Sequence, residues 1–286
     1  MSILSLLLVL LPVLASTVEP PPLLVADIHG QRLFRLDAGG TVVWEHRQRN
    51  IHDCWQLHDG RVLYAFPSEI RIVDDEQSVE RRYRAPEGYR LYSCQPLAEG
   101  RVLTAITGPE TRILEIDSAG TVVVDIQTER ARQIRLVRKT PTGSYLLAAR
   151  SEQEVWEYTA DGRLLRRIPA PGNVYLAVRL PNGNTMIACG DGHSLVEVDI
   201  EDRVVWHLAE NDLPGIPLRF VAGFQALDDN TLVLCNWGGH GHLNGQAQIL
   251  AVDRAKNVLW RIEDWQRFQT PCHVQVLLPD AQPLMR

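Results

Sequence analysis

A chain of 286 residues, 45% apolar and 22% charged, has the ordinary make-up of a globular protein and leaves one large or two small domains open. Its formal net charge of -6 argues against nucleic acid as a partner, because a phosphate backbone needs a basic stripe and none is visible. The doublets Arg81-Arg82 and Arg166-Arg167 sit in amphipathic repeats and read as solvated strand faces.

The chain opens on an apolar run from Ile3 to Leu14, followed by Ala15-Ser16 and then Pro20-Pro21-Pro22. The run is too short to cross a bilayer of ~30 Å as a helix. With small residues behind it, it predicts a signal peptide over residues 1–16, cut near Ala15 or Ser16, and a Pro-rich leader over 17–22. No Lys or Arg precedes the run, so a mis-assigned start or a simple membrane anchor stands as the alternative. The expected location is periplasmic or extracellular, with no membrane span in the mature chain.

Residues 23–280 then repeat one pattern six times: an alternating apolar strand, usually ending in Asp, a turn, and a second strand. The pairs are 33–37 and 41–44, 70–74 and 78–80, 113–117 and 121–124, 155–159 and 163–165, 195–199 and 203–206, and 249–253 and 257–260. Between them recurs a second hairpin, as 55–60 leading into 61–65, and again from 95, 138, 178 and 225. Period-2 runs rich in Val, Ile and Leu, bounded by Gly, Asp and Asn turns, are strands joined by hairpins. Four such strands in every ~40–50 residues make an all-β, six-bladed β-propeller of four-stranded blades. The chain begins in mid-repeat at 23–26 and ends on 272–278, which matches a first strand. The C-terminal strand therefore completes the N-terminal blade, one strand plus three, leaving 281–286 as a tail.

The strands of a blade are labelled A to D from the axis outward. A–B and C–D turns then share one face, and the longer B–C and D–A connections share the other, where function is expected. His29, His193, His240 and His242 fall in B–C loops, while His52 and His273 begin A strands, so six of nine histidines map to that face. Arg135, Tyr175 and Arg219 neighbour them. The longest B–C loop, 236–245, and the D–A loop 210–217 belong to one blade and form its rim.

Three readings of this set stay open. One is a divalent metal held by His240 and His242 with His193, His52 or His273. Another is a polar pocket in which Arg219, Asn236, His240, His242, His52, Arg135 and Tyr175 bond a hydroxylated or anionic ligand, such as a carbohydrate stacked on Trp237. The third is loop histidines with no shared site. Asp27, Asp191 and Asp212 are the nearest loop acids; no Ser–His–Asp order or phosphate loop is present. With a metal, lyase or hydrolase chemistry becomes the comparison; without a pocket, the same face would bind a protein partner as a scaffold. Gln56, Gln95, Arg138, Arg179, Gln225 and Gln275 form a second polar set along the A strands, with an alignment that slips by one residue between blades. The five cysteines form no CxxC pair and lie in apolar strands, which predicts buried thiols. Trp44, Trp206 and Trp260 read as packing between blades.

The Asp-x-x-Gly-x-x-x-Trp segment from Asp37 to Trp44 resembles the tryptophan-docking repeat of quinoprotein propellers. The dehydrogenases of that class use eight blades and can carry an adjacent Cys-Cys pair. Six blades and no such pair point away from pyrroloquinoline quinone as a cofactor. Segments 211–215, 219–223 and 235–240 are similar to secreted bacterial six-bladed propellers of the PQQ-like or surface-layer-like type. That resemblance implies the fold and the exported location, and no particular activity.

Overall fold

The computed structural model describes residues 19–277, so the leader expected over 1–16 and the tail over 281–286 lie outside the described residues. Strands β1 (Leu23–Asp27), β2 (Arg32–Leu36) and β3 (Val42–Arg47) form most of blade I. Blade II is β4 (Asp53–Gln56), β5 (Val62–Phe66), β6 (Glu69–Val73) and β7 (Val79–Arg84). Blade III has a split inner strand, β8 (Arg90–Leu91) and β9 (Gln95–Pro96), then β10 (Val102–Thr107), β11 (Thr111–Ile116) and β12 (Val122–Gln127). Blade IV is β13 (Ile134–Lys139), β14 (Tyr145–Ala149), β15 (Glu154–Tyr158) and β16 (Leu164–Pro169). Blade V is β17 (Leu176–Arg179), β18 (Thr185–Ala188), β19 (Leu195–Val198) and β20 (Val204–Leu208), and blade VI is β21 (Val221–Ala226), β22 (Thr231–Asn236), β23 (Ile249–Asp253) and β24 (Val258–Ile262). Finally β25 (Pro271–Val276) pairs antiparallel with β1, placing Gln275 beside Leu24, so the last strand is the inner strand of blade I.

Burial follows position in the ring. Inner strands are covered on both faces by neighbouring blades and are buried at every residue in β1, β14, β21 and β25. The outermost strands meet solvent, and Val43, Val123, Val204 and Val205 are exposed there. The recurring Asp at the end of each C strand has a local cause. Asp37, Asp74, Asp117, Asp199 and Asp253 each accept the backbone N–H four residues on, at 2.7–2.9 Å, closing the C–D turn; Thr159 does so in blade IV. The residue three after each cap is left-handed in all six blades: Gly40, Gln77, Gly120, Gly162, Asp202 and Lys256. Glycine fills this position in three of the blades, where no Cβ opposes the conformation.

The polar set on the inner strands ties blades together. Gln275 accepts the Gln56 N–H, Gln95 the Lys139 N–H and Gln225 the Val276 N–H, each at 2.7 Å and each across a blade boundary. Arg179 instead pairs with Glu157 inside the ring. The one-residue slip in the alignment is a set of bulges: the register shifts between Ile134 and Val137 in β13 and between Val221 and Phe224 in β21. Trp206 bridges blades V and VI, donating to the Arg254 carbonyl at 2.9 Å beneath its guanidinium. All five cysteines are buried and none forms a disulfide. Among the described residues no helix is long and apolar enough to cross a membrane.

Candidate functional site at the channel mouth

The B–C and D–A loops meet over one end of the axial channel. Two layers of side chains fill it there. In the lower layer Arg138 of β13 donates to both Asp53 oxygens, at 2.9 and 3.0 Å, and His273 of β25 approaches the same carboxylate at 3.2 Å. All three are buried, Asp53 and His273 completely. Burial alone would raise the Asp53 pKa, but Arg138 and His273 hold it below the ordinary carboxylate value. His273 fits because Gly223 faces it: a Cβ on Gly223 would lie 2.4 Å from Nδ1.

The upper layer is the mouth. Tyr175, at the start of the blade V inner strand, reaches across the axis and donates to the His52 carbonyl of blade II at 3.4 Å. His52 meets the Tyr92 ring edge-on at 4.9 Å, and the Arg135 guanidinium lies 4.9 Å over the same ring. Phe220 packs on Tyr175 on one side and on Trp237 and His240 on the other. His240 bonds Asp191 through Nδ1 at 2.7 Å, and Asp191 is further held by Arg150 at 2.8 Å and Asn173 at 3.0 Å. Five blades therefore contribute to one continuous polar and aromatic cluster.

Charge is distributed unevenly over it. Burial, then Arg135, pushes the His52 pKa down to about 3, so its imidazole is neutral in ordinary buffers. Burial, then the neighbouring Arg150, lowers the Arg135 pKa as well. Burial works against ionised Asp191, yet Asn173, His240 and Arg150 together keep its pKa below the usual value. A histidine oriented through Nδ1 by a carboxylate leaves Nε2 available to exchange a proton, the arrangement a general base uses.

Several of the sequence-predicted residues hold the frame instead of facing the mouth. Asn236 is fully buried, accepting the Arg219 N–H at 2.7 Å and donating to the Pro217 carbonyl at 2.9 Å. Asp27 does the same at the equivalent end of β1, accepting from Gly30, Gln269 and Thr270. The Arg219 side chain is spent on Glu210 at 2.7 Å, and His193 bonds the Arg219 carbonyl. His242 is half-buried, and its backbone N–H closes a turn onto Gly239. Trp237 lies under its own loop, since a Cβ on Gly239 would strike the indole at 1.8 Å.

The metal set of His240, His242, His193 and His273 is not assembled. Among the described residues no three His, Cys, Asp or Glu side chains converge on one point. His273 is sealed against Asp53 below, His193 turns to a carbonyl, and His240 turns to Asp191. Conversely, Tyr92, Arg150, Asn173 and Phe220 belong to the mouth without having stood out in the sequence. Arg150 could have been found from its place in the blade IV B–C loop, equivalent to that of His29 in blade I.

The architecture defines a six-bladed propeller with one elaborated face over a plugged channel. Residues 31–266 match the Mal s 1 allergenic protein-like family, and the chain belongs to it. No curated protein matches the chain in sequence. Among solved structures, a protein of unknown function from Bacteroides caccae is 25% identical with a TM-score of 0.81, covering 89% of this chain and 98% of its own. A virginiamycin B lyase from Staphylococcus aureus, in a catalytically inactive form with quinupristin, is 10% identical with a TM-score of 0.60, covering 88% of this chain and 87% of its own. A calcium-binding regucalcin from Agrobacterium tumefaciens is 13% identical with a TM-score of 0.62, covering 86% and 93%. At 10% and 13% identity, the last two share the fold alone.

Proposed function

We propose that this protein is an exported propeller that binds a small polar, carbohydrate-like molecule at the channel mouth formed by Tyr92, His52, Arg135, Tyr175 and His240, with Trp237 packed behind its rim. One observation carries the reading. The Nδ1 of His52, the Nε of Arg135 and the Nε1 of Trp237 are each buried without a hydrogen-bond partner, on three elements that meet at this mouth. Buried polar atoms are ordinarily satisfied, and a ligand supplies what the chain withholds. Aromatic walls with a few convergent polar groups are also the usual lining of a small-molecule site. The large exposed apolar side chains lie mainly on outer strands, which favours a ligand recess over a protein-docking patch. Two neighbours with the same fold are described as a virginiamycin B lyase with quinupristin and as a calcium-binding protein.

The test is an NMR titration of the mature protein with neutral sugars, uronic acids and amino acids. Shifts should concentrate on the Trp237 indole N–H and the backbone of 173–175 and 238–242. Responses confined to the outer strands, or to the cleft lined by Leu180, Asn182, Asp228, Asp229 and Arg254 on the other face, would overturn the assignment. N-terminal sequencing of the secreted protein tests export and should begin near residue 16.

A further inference from the structure

Among the described residues Arg135 is the mouth arginine with no carboxylate at ion-pair distance, whereas Arg138 holds Asp53, Arg150 holds Asp191 and Arg219 holds Glu210. A guanidinium has five N–H donors in a planar fork. The protein bonds Arg135 through Nη1 to the Ile134 carbonyl, and its Nε stays buried and unpartnered. The Tyr92 ring covers one flat face, so the fork's edge is what remains to be filled. The bulge in β13 is what aims it there, by departing from regular pairing between Ile134 and Val137.

Local charge then sets the valence of the missing group. Arg135 and Arg150 contribute two positive charges, Asp191 one negative, and His52 is neutral. The lower layer adds Asp53 against Arg138. One positive charge is left over in a protein of net charge -6. A carboxylate matches both the single charge and the planar fork, while a phosphate dianion would bring excess charge beside Asp191.

We propose that the ligand carries a carboxylate that binds Arg135 in a bidentate pair against Tyr92, making the substrate class an acidic sugar or a comparable hydroxy acid. The proposal rests on the mouth being the binding site. Its test uses wild type, Arg135→Met and Arg135→Lys with four probes: galacturonate, acetate, galactose and inorganic phosphate. Melting temperature and the Arg135 Nε–H signal are read for each. Galacturonate should stabilise wild type and shift that signal, acetate should shift it more weakly, and galactose should leave it in place. Arg135→Met should weaken galacturonate roughly tenfold or more, and Arg135→Lys should keep part of the affinity without the fork.

Since Arg135 supports no ion pair, the Met variant should fold, and the wild-type signal does not depend on it. Galactose binding as well as galacturonate, with Trp237 responding and Arg135 silent, overturns the carboxylate and keeps the mouth. Phosphate binding more tightly than any carboxylate overturns the charge argument. Silence of every mouth signal at millimolar concentrations of all four probes overturns both readings.

Discussion

The middle of the channel and its mouth each hold an arginine from the same strand, three residues apart, and the protein treats them in opposite ways. Arg138 is matched by a carboxylate, a histidine and a carbonyl, all sealed from water. Arg135 is partly buried, stacked on a ring and given no carboxylate at ion-pair distance. The first arrangement locks blade IV to blades I and II. The second adds nothing of the kind, so its desolvation is tolerated for another reason. That is the contrast expected if Arg135 serves the proposed ligand.

That contrast can be broken in order of effect. Arg138→Met strands a buried Asp53 charge and should lower unfolding free energy by about 3–5 kcal/mol in urea titrations. Asn236→Ala, which frees two backbone groups of the rim loops, should cost about 1–3 kcal/mol in the same measurement. Acid should act through the channel too. His52 stays neutral in the folded chain down to about pH 3 but takes up a proton near pH 6.5 when unfolded, so stability falls as pH drops across that interval. The depressed pKa of Asp53 extends the loss to lower pH, where the folded carboxylate is finally protonated. Melting curves against pH should show His52→Gln with a shallower slope above Asp53's range. Arg135→Met should move stability by no more than about 1 kcal/mol, in either direction, and a loss comparable to that of Arg138→Met would erase the distinction between the two. His240→Ala, at an exposed rim position, should stay within about 0.5 kcal/mol.

The blades were legible in the sequence because their signal is local. An Asp that caps a turn four residues ahead recurs at five of the six C strands, and alternating apolar residues flank it. The difference between the two faces was legible for the same reason, since loop length alone separates the two ends of each strand. The mouth itself was only half legible. His240 and Asp191 are in different blades, as are Tyr175 and His52, and no periodicity links residues brought together by ring closure. Asn236 shows the opposite difficulty. A polar residue beside a Gly-rich loop resembles a ligand group, yet its role matches Asp27, which anchors the corresponding loop of blade I. The bulges in β13 and β21 displace the inner-strand register, so counting alternate residues from one blade misaligns Arg135 and Arg138 in the next.

The crossing of the axis by Tyr175, above the sealed Asp53–Arg138 pair, has a kinetic consequence. The propeller is a cup and not a tube at this end. Under the proposed reading, a ligand held above Tyr175 would enter and leave by the same side, past the Gly-rich loop that carries Trp237 and His240. Residence time would then be governed by how readily that Gly-rich border moves aside, while the rigid blades below set only which molecule is kept.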